Sequence, residues 1–219
     1  MLRTQEEEIL DQEGLSRRGR TILQDLDRWN RVSGWYDAHT RRIRRHWEAL
    51  GRPSPLRVLD IGTGSGGLLA ALADTDLPCE LVGVDRSPAF AAMAAQRLGP
   101  RAVVLEADAT ELPFGDQTFH LATSTLMMHH LPHGVRHSLV REVARVARSA
   151  YFFDLEVTLY GVVGFACLAP LVGLGRDAVH DGMLSVRRGS TLSEMRALMK
   201  PLPVRVVRVF PSALCTMPG

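Results

Sequence analysis

The stretch Val58-Leu59-Asp60-Ile61-Gly62-Thr63-Gly64-Ser65-Gly66-Gly67 decides the fold. An apolar run that reads as a strand ends in glycines at alternate positions, and a helical pattern opens directly after them. Glycines so placed let the backbone turn sharply and bring its N–H groups close to a ligand, where a bulky side chain would fill the ligand's space. Gly62, Gly64 and Gly67 also satisfy the G-x-G-x-x-G spacing of dinucleotide sites, a weak signal by itself.

On either side of this loop, short apolar runs alternate with helical stretches. Strands are expected at 57–61, 80–85, 102–106, 121–125 and 150–154, with later ones at 204–210 and 212–216. Helices are expected at 88–98, where Ser87 caps and Pro88 takes the first helical position, and at 135–148. Strands apolar on both faces and separated by helices imply a mostly parallel sheet covered on each side. The expected fold is therefore α/β and Rossmann-like, with seven strands. Residues 1–52 carry no strand pattern. Ile22, Leu23, Leu26 and Trp29, then Ile43, Trp47 and Leu50, recur at helical spacing around a break at Ser33-Gly34, giving a helical cap on a domain of 53–219. Arg41, Arg42, Arg44, Arg45 and His46 read as a solvated face of its second helix.

Bulk properties narrow the function. The 219 residues are 46% hydrophobic and 23% charged, with a net charge of +2, which argues against nucleic acid as the main partner. Cys79, Cys167 and Cys215 are too few and too scattered for a disulfide framework or a zinc site, so no metal is expected. The acidic, polar opening lacks a secretory signal, which predicts a cytoplasmic address. Residues 157–175 hold no formal charge, a length that raises a membrane span; Pro170 and four glycines favour instead an apolar lid inserted near 157–182. Thr191 and Glu194 form a capping box that opens the next helix.

Three acids follow successive strands. Asp60 precedes the first glycine and suits a ligand ammonium or a water. Asp85, with Arg86 beside it, ends the second strand, where a carboxylate accepts from both ribose hydroxyls. Asp108, after the third, suits an adenine amino group. Strand four ends at Ser124-Thr125, bordering both cofactor and substrate. The loop beyond it carries Met127, Met128, His129 and His130, and an imidazole there suits removal of a phenol or enol proton. His180 and Asp181, read as a polar turn before Gly182, supply a further candidate. Trp35, Tyr36 and Trp47 read as core aromatics, with the opposing wall of the pocket as the alternative.

From Val58 to Leu131 the chain resembles the class I S-adenosylmethionine-dependent methyltransferases. Asp60-Ile61-Gly62-Thr63-Gly64-Ser65-Gly66 matches their first motif, Asp85 their ribose-binding acid and Asp108-Ala109 their adenine-binding pair. Within them it is similar to the ubiquinone/menaquinone C-methyltransferase type and to small bacterial enzymes found with polyketide pathways. That likeness rests on Leu112-Pro113-Phe114, Phe119, His129-His130-Leu131, Asn30-Arg31-Val32-Ser33-Gly34 and His180-Asp181-Gly182. One departure is His120, where the family has an acid supporting the fold. The resemblance implies S-adenosyl-L-methionine as cofactor, held by Asp60, Gly62, Thr63, Gly64, Gly66, Asp85, Arg86, Asp108, Ala109, Ser124 and Thr125. His129, His130 and His180 are then the candidate catalytic residues, acting on a small apolar phenolic, quinol or enolic acceptor at carbon or oxygen. The alternatives are a nicotinamide-dependent oxidoreductase and a cofactor-bound fold without methyl transfer. Oligomeric state is not encoded in any of these features.

Overall fold

The computed structural model describes residues 3–4, 6–13, 15–209 and 213–218. Strand β1 (Leu56–Ile61) shows why the sheet is buried on both sides. Its alternating side chains send Leu59 and Ile61 into one core and Leu56 and Val58 into another, on the opposite face. Helix α4 (Gly67–Ala73) leads to β2 (Cys79–Asp85), α5 (Pro88–Leu98) to β3 (Val103–Glu106), and β4 (Phe119–Thr125) through α6 (His133–Val146) to β5 (Ala147–Leu155). After a helical insertion come α9 (Leu192–Leu198), β6 (Val204–Val209) and β7 (Ala213–Pro218).

The seven strands lie in the order β3-β2-β1-β4-β5-β7-β6. All pair in parallel except β7, which runs antiparallel to both β5 and β6. Strands are added toward one edge from β1 to β3 and toward the other from β4 onward, so the carboxyl ends of the parallel pair β1 and β4 open the crevice where ligands of open α/β sheets bind. The expected strands all form. β5 starts three residues before its expected position because Ala147 and Ser149 pair with Phe119 and Leu121. Phe210 and Ser212, at the ends of the two last expected strands, lie outside the described residues. Ser87 caps α5, its hydroxyl accepting from the Phe90 N–H, and the Thr191–Glu194 capping box opens α9.

Before β1 stand α1 (Ile9–Glu13), α2 (Arg17–Val32) and α3 (Trp35–Ala49), with Gly34 in the left-handed region between the last two. Helix α3 lies on the sheet through Ile43, and its two histidines enter the core. His39 Nδ1 meets the Tyr151 hydroxyl, and His46 Nδ1 lies 3.3 Å from Ser149 Oγ. Burial pushes His39 down to about 3 and His46 to about 4, so both stay neutral near neutral pH. This corrects the reading of residues 41–46 as one solvated face: Ile43 and His46 turn inward while Arg41 and Arg45 stay outside. His120 supports the fold as expected, its Nδ1 accepting from the Arg57 N–H at 3.1 Å.

The insertion holds α7 (Leu159–Leu168), a 3-10 turn (Ala169–Val172) and α8 (Arg176–Arg188). Among the described residues no helix is long and apolar enough to cross a membrane. Ala169, Leu174 and Ala178 pack with Ile22 of α2 in a third small core, joined by Trp29 and Phe165 at 5.2 Å between ring centroids. Leu159, Tyr160, Val163, Leu168 and Leu171 remain exposed. His180, Asp181 and Gly182 are not a turn but lie within α8. A Cβ on Gly182 would come within 2.1 Å of the Phe165 ring, so glycine is what lets α7 cross here.

Candidate active site

The glycine loop lies at the carboxyl end of β1. Gly62, Gly64 and Gly66 all have positive φ, at 70°, 54° and 73°. A Cβ on Gly62 would strike Met127, whereas one on Gly64 would enter open space. That space is a cradle kept clear of side chains. Asp85 shapes it: one carboxylate oxygen accepts from the Gly64 N–H and the other from the Ser87 N–H, each at 2.9 Å. A carboxylate has about four lone-pair sites, so two such bonds leave capacity for ribose hydroxyls.

Asp60 is buried beneath the loop and accepts from Thr123 Oγ1 at 2.7 Å. Burial pushes its carboxyl up to about 6, partly offset by that bond. A cationic ligand would reverse the shift, which suits an amino-acid ammonium. Asp108 sits exposed after β3, with one oxygen accepting from the Thr110 N–H and hydroxyl, and these bonds hold it below the usual carboxylate range. Arg86 is exposed beside Asp85, and Ala109 half-buried beside Asp108. Ser124 is buried at the end of β4 with no hydrogen-bond partner for its hydroxyl among the described residues, and Thr125 is half-buried next to it. A buried hydroxyl without a partner is costly, and a bound ligand group relieves it. Next comes Leu126 at φ 52°, a strained conformation of the kind that collects at functional sites.

The loop after β4 carries the histidines. His129 is buried, and Asp154 at the end of β5 holds it twice. The Asp154 carboxylate accepts from the ring Nδ1–H at 2.5 Å and from the His129 backbone N–H at 3.0 Å. Burial pushes Asp154 up, but the imidazole beside it outweighs this and holds it below the usual range. With Nδ1 donating, Nε2 carries the lone pair and faces Glu8 at 3.7 Å. His130 lies alongside, 4.2 Å between ring centroids, and its Nδ1 meets Asp11 at 2.9 Å. His180 is half-exposed on α8, 3.6 Å from the buried Asp181.

Sequence reasoning missed the N-terminal contribution. Asp181 accepts from the N–H groups of Ile9 and Leu10, both at 2.9 Å, and so anchors the start of α1 from another helix. That anchoring delivers Glu8 and Asp11 to the histidines. Ser185 donates to Glu8 at 2.8 Å, and Arg188 reaches Asp11 at 2.8 Å. Burial pushes Glu8 up to about 7, against the pull of His130, Ser185 and Arg188. Asp11 falls to about 2, because its bonds to His130 and Arg188 outweigh its burial. No cysteine is involved, so cysteine spacing gave no sign of the cluster. Tyr36 was also placed differently: it lies over Gly67 and donates to Asp27 at 2.6 Å, bracing the glycine loop from α3.

The strand order with an antiparallel β7, the alternating glycines and the strand-end acids define a class I S-adenosylmethionine-dependent methyltransferase fold. Dinucleotide-binding dehydrogenase sheets run 3-2-1-4-5-6 without that inserted strand. Residues 58–150 match the family described as Methyltransferase domain. The chain is 30% identical over 162 residues to a malonyl-[acyl-carrier protein] O-methyltransferase of Geobacter sulfurreducens, covering 71% of this chain and 58% of that protein. It is 35% identical over 91 residues to a demethylmenaquinone methyltransferase of Thermus thermophilus, covering 40% and 41% respectively. The match thus spans less than two thirds of either relative. Among solved structures, the plantazolicin methyltransferase BpumL in complex with SAH superimposes with a TM-score of 0.69 at 14% identity, covering 94% of this chain and 92% of that one. The chain therefore carries a class I S-adenosylmethionine-dependent methyltransferase domain, whose cofactor is S-adenosyl-L-methionine. The open cradle at Gly64 and the partnerless Ser124 hydroxyl fit that cofactor.

Proposed function

We propose that the protein transfers a methyl group from S-adenosyl-L-methionine to the carbon or oxygen of a small, apolar phenolic, quinol or enolic acceptor. The cofactor supplies a sulfonium methyl. Asp60 meets its ammonium; Gly62, Thr63, Gly64 and Gly66 cradle it; Asp85, with Arg86, takes the ribose. Asp108 and Ala109 take the adenine, while Ser124 and Thr125 border the methyl. The acceptor enters between the helical cap, 1–52, and the apolar insertion near 157–182, which opens to admit it. Its hydroxyl proton is removed at the His129–His130 cluster; His180, the further candidate, stands half-exposed on α8 beside Asp181.

The observation that carries this reading is the buried His129–Asp154 pair in the loop where β4 ends, beside the glycine loop. Asp154 fixes the Nδ1–H tautomer and leaves Nε2 as the proton acceptor. Met127, partly buried beside Gly62, gives an apolar, adaptable wall for a planar ring, while Met128 packs in the core beneath it. The Thermus thermophilus relative is named for demethylmenaquinone, a quinone whose reduced form is a quinol, and this supports the acceptor class. The test is a labelled-methyl screen of phenols, quinols and enols. Label transfer to members of this set supports the reading; S-adenosylhomocysteine binding with no transfer to any of them overturns it.

A further inference from the structure

We propose that Glu8, His129 and His130 form a binding site for a divalent transition-metal ion that receives the acceptor's oxygen. The inference rests on the reading that a hydroxyl acceptor meets this cluster, and it names what the cluster holds. Each of the three residues offers one ligand atom, and these atoms lie within 4.8 Å of one another. The Glu8 and His129 side chains are almost wholly buried, and His130 is about a quarter exposed, so one side of the set stays open.

The surroundings of the two rings are those of metal ligands. A ligating imidazole usually gives its other ring N–H to a carboxylate, which fixes the tautomer and raises the basicity of the coordinating nitrogen. Both rings have this arrangement: Asp154 holds Nδ1 of His129 and Asp11 holds Nδ1 of His130. The Nε2 atom of each ring is thereby the one presented for coordination. Two imidazoles and one carboxylate with positions left open suit iron(II), zinc, cobalt(II) or manganese(II), and the absence of thiolate from the set disfavours copper(I).

Charge points the same way. Three carboxylates, Glu8, Asp11 and Asp154, meet at the cluster. Two guanidiniums face them: Arg188, at Asp11 and Glu8, and Arg136, whose Nη2 donates to the His129 carbonyl oxygen at 3.4 Å. With neutral imidazoles the cluster keeps a net negative charge. A divalent ion overcompensates it by one unit, and an acceptor oxyanion on the ion restores neutrality. With the ion bound, His129 Nε2 is occupied, so the acceptor O–H gives its proton to water instead of to that nitrogen, and the oxygen stays on the ion as the oxyanion; in metal-free protein Nε2 itself is the proton acceptor. Glu8 comes from the N-terminal segment, so the ion would also tie that segment over the pocket.

The test needs neither cofactor nor acceptor. Chelator-treated full-length protein is titrated with zinc and manganese(II) by calorimetry, and with cobalt(II) by visible absorption. The expected result is one ion per chain and ligand-field bands of a nitrogen/oxygen site. Glu8→Gln, which keeps the side chain's shape, and His129→Ala should each abolish those bands. Asp154→Asn should weaken binding by about 10–100-fold, as loss of a ligand-orienting partner does. His137→Ala, at an exposed histidine of α6, should leave binding unchanged. Circular dichroism and S-adenosylhomocysteine affinity confirm that each variant is folded; should His129→Ala fail this check, Glu8→Gln decides. Failure of the folded wild type to bind any of the three ions, or binding unaltered by Glu8→Gln, overturns the proposal. Metal binding without methylation of any phenol or enol would sink the acceptor class and leave the metal site standing. Methylation by metal-free protein would sink the metal's role instead.

Discussion

The proposed cofactor side and the proposed acceptor side of this crevice are assembled from the chain in opposite ways. Asp60 lies near the end of β1, Asp85 ends β2 and Asp108 follows β3, so each is placed by its strand's carboxyl end. The hydrogen bond from the Gly64 N–H to Asp85 spans only 21 residues of sequence. On the acceptor side the Ser185–Glu8 contact spans 177 residues and the His130–Asp11 contact 119. The first side is built on the ends of adjacent strands of one sheet, with the glycine loop's shape dictated by its own residues and Asp60 tied to Thr123 of the neighbouring strand. The second exists only once α1, the loop after β4, the end of β5 and α8 have all docked. Damage to the first should therefore read out as lost cofactor affinity, and damage to the second as lost turnover or loosened packing.

The largest effect is expected at His129. Removing a proton acceptor typically costs about 10²–10⁴-fold in rate, so His129→Ala should lower turnover by that order while S-adenosylhomocysteine affinity stays near its wild-type value. Calorimetry and steady-state kinetics on one accepted substrate check this. Turnover within about threefold of wild type, well short of that range, would break the assignment of the acceptor side to this cluster.

Packing of the insertion gives a smaller effect. Gly182→Ala places a methyl against the Phe165 ring, within 2.1 Å unless α7 shifts. Overpacking of this kind costs about 1–3 kcal/mol, and chemical denaturation should show it. Cofactor affinity should not change, because the contact lies wholly on the acceptor side. A parallel fall in cofactor affinity would show that the two sides are coupled.

Acid sharpens the comparison from the cofactor side. Burial holds the Asp60 carboxyl at about 6, above its ordinary value of 3.8. The folded chain thus binds this proton more tightly than the unfolded chain, so Asp60 favours folding less as pH rises from its ordinary value through 6. A cationic ligand needs the carboxylate and must expel that proton below pH 6. Affinity for S-adenosylmethionine should then fall by up to about tenfold per pH unit below 6 and level off above it. Asp60→Asn should flatten the profile, and a slope that persists in that variant would assign it to another group.

This contrast also explains what could be read without coordinates. The alternating glycines, the capping box at Thr191 and the period of β1 each report local geometry, and each formed as expected. His46 was misassigned because four arginines around it dominate the pattern, while its own place in the helix turns it toward Ser149. The run His180-Asp181-Gly182 resembles a turn in composition. Its glycine is instead required by the crossing of Phe165, and its aspartate by the start of a helix far away in sequence. Glu8 and Asp11 stand in an acidic stretch, 6–13, that gives no hint of which carboxylate becomes buried. Only docking against α8 selects them.

The central claim is that the strand-end acids and the glycine loop form an S-adenosylmethionine site. Titration calorimetry of wild type and Asp85→Ala with S-adenosylhomocysteine and with NAD tests it most directly. The account predicts tight S-adenosylhomocysteine binding by wild type and none of NAD. Loss of the charged hydrogen bonds should cost Asp85→Ala about 1.5–3 kcal/mol, or roughly 10–150-fold in affinity. Equal affinity of wild type and Asp85→Ala, or preference for NAD, would contradict it.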